Sequence, residues 1–407
     1  MINLVATDLF ADSPFPKVNW GSLVVEREEK TVDDSFEPLS VGQMGVTPQL
    51  ESVARPKDPT GRKIVRKGDI VINSRSDRRG ASGVSGLEGA VSVVYSVMSP
   101  KTDALDPRFA GHLLKSDMFQ DTFYLAGVGI VDDLWTTNFN RMSSIRVPLP
   151  PLRIQRAIAD YLDRETAEID AMTADLDKME ALLTERRGSI VRTHLLPEGK
   201  EYTRVKLKAA VSLGKTVQSK QKNAEEVQRN YVRAAHIQPH GRLALDEQPM
   251  WFTTSELEQL SLRANDVLVV EGGAGYGRSV VLKEDLPEWG FQNHVIRVRP
   301  NPGVVGEFIH YTFLAHYNAG LIDLLADGAT IPALSSDKAR ELPILSVDEH
   351  CQRKIVGMVE RETAEIDAML ADITELRDLL AERRAALIAA AVTGQIDIPT
   401  AEETTHA

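Results

Sequence analysis

The peptide Arg-Glu-Thr-Ala-Glu-Ile-Asp-Ala-Met occupies residues 164–172 and again 361–369, an offset of 197 residues. At the same offset Glu185-Arg186-Arg187 recurs as Glu382-Arg383-Arg384, and Arg66-Lys67-Gly68-Asp69 answers to Arg263-Ala264-Asn265-Asp266. A period this long constrains the architecture before any local pattern does: the chain is two copies of one unit, with no net insertion between the markers. Carrying the same helix twice, one chain can act as a dimer does, with two similar faces.

The repeated peptide sits in the strongest periodic pattern of the sequence. Apolar residues fall at Ile158, Leu162, Ile169, Met172, Leu176, Met179, Leu183 and Ile190, in steps of four and three, with Glu165 and Arg186 as polar seam positions. The second copy places Ile355, Val359, Ile366, Met369, Ile373, Leu376, Leu380 and Leu387 in the same register, with Glu362 and Arg383 polar. Sustained heptads of this kind predict a coiled coil. About 40 residues at 1.5 Å each give helices near 60 Å long. Pro148, Pro150 and Pro151 punctuate the start of the first helix and Pro343 that of the second; Pro197 with Gly199 and Gly394 with Pro399 end them. Antiparallel pairing would bring Glu165 within about a turn of Arg383, and Glu362 of Arg186, where polar seam residues fix register. The alternative is that these four are solvated.

The remainder predicts two mixed α/β domains, at residues 15–147 and 204–345. Lys63 to Asn73 and Leu262 to Glu271 are β-rich, Gly/Ser-rich turns follow each, and short helical patterns come at 107–125 and 307–325. Outside the short matches the two domains differ greatly, so one frame carries two dissimilar modules. No apolar stretch nears the roughly 20 residues that span a bilayer, and no basic start with an apolar run marks a secretory signal. The single cysteine, Cys351, excludes an intrachain disulfide framework and a multi-cysteine zinc site. The expected location is the cytoplasm. Net charge is -12, yet residues 61–80 hold seven Lys/Arg against two Asp, and residues 201–235 eight against three Glu. Basic clusters therefore lie in the non-helical part of both copies, and a local basic surface binds phosphates whatever the average.

Several strings imitate active sites. Residues 272–279, Gly-Gly-Ala-Gly-Tyr-Gly-Arg-Ser, nearly match a phosphate-binding loop, but arginine replaces its lysine and β-rich Val280-Val281-Leu282 follows where a helix should begin. His236 and His240 are four apart with Pro239 between them, which does not suit a helical metal pair. Asn301-Pro302-Gly303 suits a turn rather than the tetrapeptide of adenine methyltransferases. Adjacent Asp132-Asp133 leave a nuclease reading open without a metal motif to support it.

This layout resembles the specificity subunit of type I restriction–modification systems. The resemblance rests on Val147-Pro148-Leu149-Pro150-Pro151-Leu152-Arg153-Ile154-Gln155 at the start of the first helix and on Thr166-Ala167-Glu168-Ile169, repeated as Thr363-Ala364-Glu365-Ile366. It rests also on Ala391-Val392-Thr393-Gly394-Gln395-Ile396 near the end and on the strand start Gly68-Asp69-Ile70-Val71. The second helix start, Leu342-Pro343-Ile344-Leu345-Ser346-Val347, lacks the multiple prolines, while Gln352-Arg353 still matches Gln155-Arg156. The resemblance implies an α+β fold with a pseudo-twofold tandem repeat. Its parts would be an N-terminal segment 1–14, target-recognition domain 15–147, spacer helix 148–196, linker 197–203, target-recognition domain 204–345, spacer helix 346–393 and polar tail 394–407. The two helices would pair as an antiparallel coiled coil.

The same resemblance implies a non-catalytic chain that binds a bipartite, asymmetric target in double-stranded DNA, the helices serving as a ruler. A 60 Å helix spans roughly 17–18 base pairs. Two methyltransferase subunits would dock on it and motor–nuclease subunits would join through the complex. S-adenosylmethionine, ATP and magnesium would serve those partners, with no cofactor or metal in this chain and no membrane involved. A DNA-free coiled-coil scaffold and a single-chain restriction enzyme are the alternatives. Candidate DNA contacts in the first domain are Arg75, Arg78 and Arg79, because arginine grips guanine or phosphate with two hydrogen bonds. Arg62, Lys63, Arg66 and Lys67 read as phosphate contacts or solvated charge. In the second domain the polar run from Lys215 through Gln218 and Lys220 to Lys222, then Tyr276 and Arg278, are the candidates. Thr137 and Asn138, just before the first spacer helix, could position phosphates or cap a local helix.

Overall fold

The computed structural model describes residues 9–32, 35–50, 60–75, 78–101, 103–129, 135–273, 275–325 and 333–398. It divides into two compact units, Met1–Leu176 with Glu375–Ala407, and Asp177–Thr374.

In the first unit the run Ile70-Val71-Ile72 is wholly buried, as a strand covered on both faces requires. It pairs antiparallel with Tyr95–Pro100 and Ser82–Val84, and Val24–Glu26 completes a four-stranded sheet beside Tyr95–Pro100. The second unit repeats the order: Ala209–Leu213, Val295–Pro300, Val267–Val270 and Ser279–Val281. A two-stranded clasp closes each domain, Lys17–Asn19 on Arg146–Pro148 and Tyr202–Arg204 on Pro343–Leu345. The helical patterns expected at 107–125 and 307–325 are each two helices, Pro107–Lys115 with Asp117–Leu125 and Gly306–Asn318 with Leu321–Leu325. In the first unit the break falls at Ser116, whose hydroxyl oxygen caps the next helix by accepting from Phe119 N.

The repeated strand start has a structural cause. The turn ahead of the central strand needs a left-handed residue, supplied by Gly68 at φ 86° in one copy and Asn265 at φ 72° in the other. The aspartate that follows is buried in both. Asp69 accepts from Arg66 N at 2.8 Å and from Arg27 Nε and Nη2 at 2.9 and 3.0 Å. Asp266 accepts from Arg263 N at 2.9 Å and from Arg299 Nε and Nη2 at 2.7 and 2.6 Å. Hydrogen bonding to the aspartate holds both guanidinium pKa values above the ordinary value.

The long helices are Leu152–Leu195 and Glu349–Thr393. The Gln-Arg motif near each start fastens the helix to its own domain. Buried Gln155 accepts from Asp106 N and donates to the Ala104 and Pro150 carbonyls; buried Gln352 accepts from Val305 N and donates to Val347 O. The helices run antiparallel. In the first unit Ile158 and Leu162 share a core with Ile388, Ala391 and Val392, while Asp170 pairs with Arg384. In the second Arg187 meets Asp367 at 2.6 Å and His194 meets Glu362 at 3.0 Å. Glu165 lies 3.6 Å from Arg383, as expected, but Glu362 takes His194 rather than the expected Arg186.

The seam also departs from the heptad reading. Leu162, Ile169, Val359, Ile366, Ile373 and Leu380 are buried, Ile158 with them, and Leu176, Leu183 and Ile355 are half-buried. Met172, Met179, Met369 and Leu376 are about half exposed instead, at 45–51%. In the column that holds them the buried positions lie one residue toward the C-terminus: Ala159 and Thr166 in one helix, Val356, Thr363 and Leu370 in the other. Thr166 returns its hydroxyl proton to Leu162 O at 2.7 Å, whereas Thr363 Oγ1 is buried with no partner among the described residues. The bulkier methionines are turned to the flank.

Candidate nucleic-acid interface

In the first unit the chain leaves the central strand at Asn73, whose Oδ1 accepts from Arg75 N at 3.1 Å and starts a tight turn. Arg75 then makes a β-bridge to Thr136, and Thr137 N donates to Ser74 O at 2.9 Å. The turn is thus fixed to the segment that precedes the first long helix. Arg75, Arg78 and Arg79 are all exposed on it. Arg79 is paired with Asp121. Beneath them a cavity of about 40 Å³ is lined by Ile72, Leu114, Phe119, Phe123 and Tyr124.

Thr137 does not face outward. It is buried, and its hydroxyl donates to Phe123 O at 2.6 Å, so it is a structural tie rather than a phosphate contact. Asn138 is a helix cap, its Oδ1 accepting from Arg141 N at 3.1 Å. Of the earlier basic cluster, Lys63 is 3.1 Å from Glu26 and Arg66 2.9 Å from Glu29, acids more than thirty residues upstream. Asp132 and Asp133 lie outside the described residues. One feature escaped the sequence: Tyr124 and Trp135 stack at 5.6 Å, with Trp135 Nε1 donating to Tyr124 O. Two aromatics eleven residues apart carry no periodic signal.

In the second unit the polar run splits. Lys215 is largely covered; its Nζ donates to Trp251 O at 3.0 Å and Glu256 Oε2 at 2.6 Å and lies over the Phe252 ring. Gln218 is buried, its Nε2 donating to Lys220 O and Glu226 Oε2. Neither side chain is offered to a phosphate. Both positions serve the loop instead. Buried Glu226 organises it, accepting from Lys222 N at 2.7 Å, from Gln218 and from Asn223 N, and the Lys222 N–H in particular holds its carboxyl below the ordinary range. Lys220 and Lys222 project from the loop so formed and are exposed.

The glycine-rich loop turns into the strand Ser279–Val281, not into a helix, so it lacks the helix N-terminus that a nucleotide loop uses. Its Ala274 lies outside the described residues. Tyr276 is tied down, its hydroxyl on Asp323 and its ring edge-on to Tyr317. Arg278 is exposed and its side chain has no partner among the described residues. Buried His236 is held by Asp246 at 2.8 Å, and no cluster of three metal-ligating side chains occurs among the described residues. No described helix is long and apolar enough to cross a membrane.

Residues 45–181 match the family model for the type I restriction modification DNA specificity domain. The match places a DNA specificity domain of this type in the first copy of the repeat. The StySPI specificity subunit of Salmonella potsdam is 22% identical over 354 residues, covering 81% of this chain and 74% of that protein. A chain from a structural study of complex assembly and conformational transition in the type I R-M system superposes with a TM-score of 0.64 at 16% identity, covering 94% of this chain and 99% of that one. The solved structure shares the fold, and residues 45–181 carry the specificity domain. Within that fold, Arg75, Arg78, Lys220, Lys222 and Arg278 are the exposed cations on domain loops that remain as candidates, with Arg79 partly committed to Asp121.

Proposed function

We propose that this chain is a type I specificity subunit that recognises a bipartite, asymmetric DNA target, one half through each domain, with the paired helices setting the spacing. The observation that carries the proposal is a common frame with unlike loops. Strand order, buried aspartate and helix-fastening glutamine repeat, while the exposed loop side chains do not: Ala81 stands where the offset of 197 places Arg278. A frame repeated without its loops suits two different half-sites. The chain needs no cofactor of its own; S-adenosylmethionine, ATP and magnesium belong to methyltransferase and motor–nuclease partners in the cytoplasm. Half-exposed apolar side chains support docking of two methyltransferase subunits on the helices: Met172, Leu376 and Leu379 in the first unit, Met179, Leu182 and Met369 in the second.

Replacing Arg75 and Arg78 together with alanine is the direct test. A bidentate arginine–base contact is worth about 1–3 kcal/mol, so the double variant should bind its target about 100-fold more weakly in a fluorescence-anisotropy titration, with the melting temperature measured alongside to show that the domain is still folded. Equal affinity for target duplex in variant and wild type would remove the first domain's turn from the interface. The ruler has its own test. Four residues inserted after Ala167 lengthen one helix by about 6 Å, roughly two base-pair steps. Methylation mapping should then show an altered spacer between unchanged half-sites; an unchanged spacer would refute the ruler.

A further inference from the structure

The second unit holds a cavity of about 140 Å³ where the first long helix, the turn at Gln238, the glycine-rich loop and the helix Gly306–Asn318 meet. A single water needs roughly 10–15 Å³ of comparable volume, so the space admits a larger polar group. Two glycines keep it open. A Cβ at Gly188 would come within 2.9 Å of Asn318 Nδ2, and one at Gly241 within 3.2 Å of the His310 ring.

The wall is rich in hydrogen-bond donors and contains no carboxylate among the described residues. Arg187 spends Nε and Nη2 on Asp367, which leaves Nη1 without a partner among the described residues. Arg278 brings a second guanidinium that no described residue neutralises. His310 lies behind them, its Nδ1 2.9 Å from Ser279 Oγ. Burial, with Arg187 adding to it, pushes the His310 pKa down to about 4, so the ring is neutral near pH 7. In the tautomer where the Ser279 hydroxyl donates to Nδ1, the ring proton is on Nε2, on the edge facing Gly241. The first domain has no such set. Ala81 and Ser82 stand at the positions of Arg278 and Ser279, and Ser82 Oγ is buried with no partner among the described residues. The donors are therefore not part of the shared frame.

We propose that this cavity is an oxyanion site that takes one phosphate group, gripped by Arg278 and by the free edges of Arg187 and His310. Converging N–H donors with a planar guanidinium fork fit the tetrahedral oxygens of a phosphate better than any neutral ligand. The phosphate has two possible sources, free phosphate and a backbone phosphodiester of bound duplex, and the site stands under either.

The test uses the full chain without DNA. Inorganic phosphate is titrated by calorimetry against chloride at matched ionic strength. Wild type should show saturable binding, and Arg278→Gln should weaken it about tenfold or more, with its melting temperature in chloride unaltered because the side chain is exposed and unpartnered. Arg278→Lys, which keeps charge but loses the fork, should fall between. Absence of saturable binding in wild type, or equal binding in Arg278→Gln, overturns the proposal. Duplex titrations then separate the sources. If phosphate displaces duplex from wild type but not from Arg278→Gln, the group is a backbone phosphodiester. If duplex affinity is the same in both while phosphate binding is lost, the site serves free phosphate.

Discussion

Ile169→Asp should unfold the helix pair of the first unit, and Ile366→Asp that of the second, whereas Met172→Asp and Met369→Asp should leave both folded. Ile169 and Ile366 are 4% and 5% exposed; Met172 and Met369 are 49% and 48% exposed. Deleting a buried isoleucine side chain costs about 2–5 kcal/mol through lost transfer and cavity terms, and a carboxylate forced into the same place adds the cost of an unpaired buried charge or of its protonation. The buried variants should lose on the order of 5 kcal/mol. At a half-exposed flank the introduced carboxylate stays hydrated, so the loss should remain within about 1 kcal/mol. Helical ellipticity followed on heating decides between the two seam registers: equal losses at 169 and 172 would restore the register with methionine in the seam. Methylation assays of the reconstituted complex add a second readout. Met172→Asp and Met369→Asp should abolish partner binding with normal melting if the half-exposed stripe is where the methyltransferases dock.

That contrast marks where sequence reasoning stopped. The period of 197 residues exposed the frame, because the same buried aspartate, glutamine and helix had to serve twice. The strand order repeats behind it, and the Asn138 cap follows from a side chain that hydrogen-bonds its own backbone, whereas the pattern at 107–125 gives no sign of the break at Ser116. The heptad pattern puts one of the two seam columns one residue off, because bulk alone does not mark burial. Ala159, Thr166 and Thr363 are buried between the helices, while Met172 is half exposed. Charge misled differently. Lys215 counts as a cation in a basic loop, yet its partner, Glu256, is 41 residues on, and no local pattern connects them. Thr137 likewise satisfies a carbonyl fourteen residues back. Long-range pairing decides which cations remain for a ligand, and only the fold reveals it.

Asp266→Ala should destabilise its unit more than Asp69→Ala does, although the two residues are equivalent in the repeat. Both carboxylates are almost fully buried, and removing one partner of a buried ion pair costs about 3–5 kcal/mol, because the other charge is left uncompensated. The surroundings differ. Arg27, the partner of Asp69, is still within 3.8 Å of Glu29 after the change. Arg299, the partner of Asp266, has Arg297 beside it. Burial, reinforced by Arg299, already pushes the Arg297 pKa down to about 10, and Asp266 is the carboxylate that opposes the fall. Arg297 itself rests on Ser261 O at 2.6 Å and on the face of Phe291, with no carboxylate paired to it among the described residues. Loss of Asp266 therefore removes the opposing charge from two guanidiniums in one sheet, Arg299 keeping the attraction of Asp285 but Arg297 losing its own, where loss of Asp69 affects Arg27 alone. Asp266→Ala should cost about 4 kcal/mol or more and Asp69→Ala about 2 kcal/mol. Asp266→Asn, which can still accept from Arg263 N but lacks the charge, should fall close to alanine if charge dominates and close to wild type if the turn does. Hydrogen exchange of Val267–Val270 and Ile70–Asn73 in the three variants measures each central strand separately. Equal loss of protection in the two strands would mean that Arg297 is indifferent to Asp266, and the electrostatic account of the second sheet would fail.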